Sequence, residues 1–94
     1  MTNDQNEVHL KIVGHVQGVG YRAALAKTAQ DLNLKGWVKN CDDGSVEALA
    51  QGETEALEEL IAWCHQGPPM ASVFDVASHW TQLKTAYSNF EIHK

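Results

Sequence analysis

The chain has 94 residues, 44% of them hydrophobic, which is room for one domain with a packed core and none for a second. Twelve acidic against seven basic side chains leave a net charge of −5, so holding a polyanion would require clustered positive charge, and none is clustered. The longest apolar run, residues 60–64, is too short to cross a bilayer.

Residues 1–7 are polar, with neither a basic region nor an apolar one of the kind that directs export, and read as a flexible arm ahead of a single domain over 8–94. A cytoplasmic protein is expected, with no membrane and no nucleic acid among its partners. Val8-His9-Leu10-Lys11-Ile12 alternates apolar and polar, the pattern of a strand with one buried face, and that strand ends at Gly14. Beyond a stretch with two glycines, Tyr21, Leu25, Thr28, Ala29 and Leu32 recur at helical spacing.

Gly36-Trp37-Val38-Lys39-Asn40 predicts a second strand, Asp42-Asp43-Gly44-Ser45 a turn, and residues 46–51 the other arm of a hairpin. Thr54 is the expected N-cap of a second helix, whose stripe is Leu57, Leu60, Ile61 and Cys64 and whose stop is Gly67-Pro68-Pro69. Residues 73–80 suit a fourth strand, with Asp75 and Ser78 leaving its inward face open, and Phe90 and Ile92 suggest a short fifth. Cys41 and Cys64 match no metal-ligand spacing and are expected to be free thiols, a disulfide being the alternative.

The order β-α-β-β-α-β plus a terminal strand is the split βαβ arrangement of ferredoxin-like folds, an α+β sandwich with an antiparallel sheet and two helices on one face. In it strands one and two run parallel with strand three between them, so their carboxyl ends share an edge. The glycine loop leaves strand one at that edge and Asn40 closes strand two there, about 10 Å away.

Three readings of Gly14-His15-Val16-Gln17-Gly18-Val19-Gly20-Tyr21-Arg22 compete. The glycines could serve only a tight turn. Alternatively, unpaired amides at a helix start favour an anion, and Arg22, the only arginine, can fold back to grip it with two parallel bonds. Gly18-Val19-Gly20-Tyr21-Arg22-Ala23 also fits the G-x-G-x-x-A dinucleotide fingerprint with Asp42 and Asp43 downstream, but the chain has no length for the further crossovers of such a domain. The five histidines lack metal-ligand spacing, so no metal or other cofactor is expected. Trp37, Trp63 and Trp80 lack the interleaved basic residues of a nucleic-acid stacking platform.

These two segments closely resemble the acylphosphatases. Their first signature, G-x-V-Q-G-V-x-[FY]-R, is filled by Gly14, Val16, Gln17, Gly18, Val19, Tyr21 and Arg22, and the second by Gly36, Trp37, Val38, Lys39, Asn40, Gly44, Val46 and Gly52. Gly67-Pro68-Pro69-Met70-Ala71 is similar to the family's connector, which extends the resemblance over residues 8–93. The resemblance implies hydrolysis of acyl phosphates to a carboxylate and inorganic phosphate, with Arg22 and Asn40 catalytic and the loop His15, Val16, Gln17, Gly18, Val19, Gly20, Tyr21 and Arg22 binding phosphate. His15 falls at the family's variable position and reads as a bystander that tunes phosphate affinity when protonated. A monomer is expected. The alternative is a non-enzymatic, acylphosphatase-like domain that binds or senses a small anion. Without the motif, Asn40 would read as a turn residue.

Overall fold

The computed structural model describes residues 5–83 and 85–93. Chain order is β1 (Gln5–His15), α1 (Tyr21–Asp31), β2 (Lys35–Asn40), β3 (Val46–Glu53), α2 (Thr54–Gln66), β4 (Ser72–Gln82) and β5 (Phe90–Ile92). The five strands form one sheet ordered β4-β1-β3-β2-β5. β3 lies antiparallel between β1 and β2, which makes those two parallel as the topology requires. The four long strands are antiparallel neighbours throughout, while β5 joins β2 in parallel, so the complete sheet is mixed.

Register turns the two-residue alternation into a core. Val8, Leu10 and Ile12 stand opposite Ala50, Ala48 and Val46 of β3, and all six are fully buried. Leu25, Ala26 and Ala29 of α1 and Leu57, Leu60 and Cys64 of α2 close the same core. Burial pushes the Cys64 thiol up to about 12, so it packs as a neutral, inert side chain. Cys41 and Cys64 are both free.

Several boundaries differ from the sequence reading for identifiable reasons. β1 begins at Gln5, so residues 5–7 of the expected arm are strand: Asn6 and Glu7 pair with Gly52 and Gln51 on one side and with Gln82 and Thr81 on the other. The rest of the arm, residues 1–4, lies outside the described residues. Glu53, not Thr54, holds the N-cap position of α2; Thr54 is the first helical residue, and its hydroxyl accepts a hydrogen bond from Asn6 Nδ2 at 2.8 Å. In β4, Val76, Ser78 and Trp80 face Ile12, Leu10 and Val8, which assigns Asp75, Ala77 and His79 to the open face of the sheet. A bulge shifts the register between Val13 and Gly14, leaving Phe74 exposed between the paired residues Val73 and Asp75.

Candidate active site

The loop after β1 delivers the chain into α1 through Gly18 and Gly20, whose φ angles of 76° and 78° are left-handed and cost a side chain strain. Gly20 is itself the N-cap of α1, with no side-chain cap on the helix amides. The first-turn donors and the positive end of the helix dipole are thus open to an anion. A cleft of about 210 Å³ lies there, walled by Val16, Gly18, Gly20, Tyr21, Arg22, Ala23, Asn40 and Ile92.

The expected loop residues divide by alternation. Val16, Gly18, Gly20, Tyr21 and Arg22 line the cleft, whereas His15, Gln17 and Val19 do not. His15 is the exposed last residue of β1, paired with Ser72, and Val19 packs against the core. The Gln17 amide reaches across to the β2–β3 turn, donating to the carbonyls of Cys41 and Ser45 at 2.8 and 2.9 Å.

Tyr21 touches the cleft, but its hydroxyl does not serve it. The side chain is buried, its ring tilts against Trp63 at 5.3 Å, and its OH donates to the Cys64 carbonyl at 2.7 Å. Desolvation, before any other cause, drives its ionisation far above the ordinary tyrosine range. This tyrosine therefore joins α1 to α2 and leaves only its backbone to the loop.

Arg22 reaches the C-terminal side of β5. Its Nη1 donates to the His93 carbonyl at 2.9 Å, while Gln30, two turns further along α1, donates to the Phe90 carbonyl at 3.2 Å. His93 is fixed in turn: its amide donates to the Val38 carbonyl at 2.8 Å and its ring stacks on Trp37 at 5.8 Å. Neither His93 nor Ile92 was marked as a site residue by the sequence, where Ile92 has only a place in a short fifth strand. Only a short apolar alternation marks β5, and its parallel pairing with β2 is a long-range event no local pattern records.

Asn40 ends β2 opposite Val46, on the same side of the sheet as Val38 and the helices. Its Oδ1 is buried and, among the described residues, accepts no hydrogen bond. A buried carboxamide oxygen without a partner is costly in a merely structural role. On the opposite face, Glu47 bonds His9, Lys39 and the Cys41 thiol. Burial works against Glu47 ionising, but the bond and charge of His9 and the charge of Lys39 outweigh it and hold the carboxyl below its ordinary range.

Fold and cleft together define a small α+β sandwich with an anion-sized site where a glycine loop enters a helix. The Acylphosphatase family profile matches residues 8–92. An acylphosphatase from Thermococcus kodakarensis is 49% identical over 74 residues, covering 79% of this chain and 81% of the relative. A solved acylphosphatase from Coxiella burnetii superposes with a TM-score of 0.92 at 36% identity, over 99% of this chain and 100% of that one. Full-length HypF, solved with phosphate and nucleotide, also matches, with a TM-score of 0.86 at 25% identity, but over 12% of its length. The chain belongs to the acylphosphatase family, and it is an acylphosphatase enzyme.

Proposed function

We propose that this acylphosphatase cleaves the carboxyl-phosphate bond without a metal, with Arg22 and the loop amides holding the phosphoryl group and Asn40 aiming the water. The observation that carries the reading is the unspent, buried Oδ1 of Asn40 in the same cleft wall as Arg22 and the first turn of α1. A carboxamide accepts from water through its oxygen and donates through its nitrogen, so it orients a nucleophile without becoming charged.

The chemistry tolerates so sparse a site because the leaving group is a carboxylate, whose conjugate acid has a pKa of about 4 and which departs without protonation. Water attacks phosphorus, the bond from phosphorus to the acyl oxygen breaks, and the water's proton passes to a phosphoryl oxygen. Catalysis then rests on positioning and on stabilising charge spread over the phosphoryl oxygens. The guanidinium supplies a planar pair of donors for that charge. Among the described residues no histidine, cysteine or carboxylate lines the cleft, and no three such side chains cluster as metal ligands.

The same reading has the whole sheet from β1 to β5, with its two helices, acting as one domain and as a monomer in the cytoplasm, on a small free acyl phosphate, releasing inorganic phosphate. The net charge of −5 disfavours nucleic acid and anionic membrane surfaces. No helix among the described residues is long and apolar enough to cross a membrane. A purely anion-binding domain is not favoured, because the enzyme relatives match over most of both lengths.

The test is a hydrolysis panel of acyl phosphates and phosphate monoesters with and without EDTA. Turnover of the acyl phosphates alone, unaffected by the chelator, is expected. Equal cleavage of monoesters, whose poorer leaving groups need an acid, or loss of activity in EDTA would contradict the mechanism.

A further inference from the structure

The two halves of the proposed site come from segments that share no local backbone: the loop before α1, and the end of β2, one strand removed across β3. Something must fix their separation. We propose that Gln17 is a positioning residue for the hydrolysis, its carboxamide tying the phosphate loop to the hairpin that follows Asn40 and so setting the spacing between Arg22 and Asn40. The inference rests on the reading of Arg22 and Asn40 given above.

Both hydrogens of the Gln17 amide are committed, one to the Cys41 carbonyl at 2.8 Å and one to that of Ser45 at 2.9 Å. These carbonyls are the two that close the turn: Cys41 N donates to Ser45 O at 2.9 Å, and Gly44 N to Cys41 O at 3.2 Å. One side chain thus adds a second donor to each end of the turn immediately after Asn40. The turn is held from its other side as well, because Asp43 Oδ1 accepts from both the amide and the hydroxyl of Ser45, at 3.0 and 2.6 Å, and Ser45 is buried. Lys11 of β1 holds the remaining oxygen of Asp43 at 3.0 Å.

Gln17 is flanked by Val16 and Gly18, which face the cleft, while its own side chain is absent from the cleft wall. A residue with that orientation does not grip phosphate; it braces the loop that does. Cys41 directly follows Asn40, so a shift of the turn relative to the loop moves the proposed water-aiming group relative to the phosphoryl group. Displacement of about 1 Å between reacting partners is enough to cost on the order of 100-fold in rate.

The experiment uses Gln17→Glu and Gln17→Ala in the full chain, with folding checked by circular dichroism and with kcat, KM and phosphate inhibition read together. Gln17→Glu keeps the size but turns a carboxylate oxygen toward two carbonyl oxygens. At pH 8 its kcat should fall by about tenfold or more while KM and the phosphate inhibition constant stay within about threefold. Toward pH 5 its kcat relative to wild type should recover, because the protonated carboxyl can donate to one carbonyl. Gln17→Ala, which carries the test if the glutamate variant does not fold, should show the same loss of kcat without that recovery. In an Asn40→Ala background the Gln17→Ala effect should shrink to within about twofold, since the group being positioned is gone. Wild-type kcat in folded Gln17→Ala, a raised KM with kcat unchanged, or a full further loss on top of Asn40→Ala would each overturn the positioning role. If Asn40→Ala is impaired but folded Gln17→Ala is not, only the role of Gln17 fails; if Asn40→Ala itself turns over normally, the reading of the site fails with it.

Discussion

Arg22 and Tyr21 are neighbours with opposite duties. The guanidinium borders the cleft and is braced by the His93 carbonyl, while the phenol points into the core toward Cys64. Arg22→Ala should weaken phosphate inhibition by about 1.5–3 kcal/mol and lower turnover, the loss expected for a charge-assisted, potentially bidentate contact. Arg22→Lys should recover little, because a point charge cannot supply the planar fork. Titration of the variants with inorganic phosphate checks both. Tyr21→Phe should instead cost about 1 kcal/mol in stability, measured by urea denaturation, and leave kcat within about twofold. A large kcat loss in a well-folded Tyr21→Phe would place the hydroxyl in the reaction. The motif marked both residues as one site, but whether a side chain turns inward or outward at a helix start depends on the packing of α2, which local sequence does not encode.

The β2–β3 hairpin is the element on which the site depends most. Its turn is braced by Asp43, whose carboxyl is held well below the usual range by the Ser45 hydroxyl and amide and then by Lys11, with the Lys11 ammonium raised in return. A folded value below the unfolded one contributes stability that is present above about pH 4 and is lost as pH falls further. Glu47, held low by His9 and Lys39, acts in the same direction. Urea midpoints measured from pH 6 to pH 2 should therefore fall on the acid side, and Asp43→Asn should flatten that limb; matching slopes for the two proteins would contradict it. Helix and strand identities were legible in these elements because period-two and helical stripes are local. The extension of β1 to Gln5 was not, since polar residues join a strand when both neighbouring strands offer pairing partners, as Glu53 and Gly52 of β3 and Gln82 of β4 do. Thr54 likewise reads as a cap in isolation, yet it is the first helical residue and its hydroxyl takes a bond from Asn6, 48 residues away.

At the scale of the whole molecule, the topology was legible and the bracing of the site was not. Placing β3 between β1 and β2 brings the glycine loop and Asn40 to one edge, and that followed from element order and connection rules alone. The links that hold the edge together, from Gln17 to the hairpin and from Arg22 to His93 just past β5, join residues 24 and 71 positions apart. No window along the chain contains both partners of such a bond. The central claim is the division of labour across this edge, with Arg22 and the loop holding the phosphoryl group while Asn40 aims the water. Its most direct test is kcat together with the inhibition constant for inorganic phosphate in Asn40→Ala, with circular dichroism to confirm folding. The account predicts that phosphate inhibits at a similar concentration while kcat falls by about two orders of magnitude or more. A folded variant with near-normal kcat, or one that has lost phosphate binding as fully as Arg22→Ala, would contradict it.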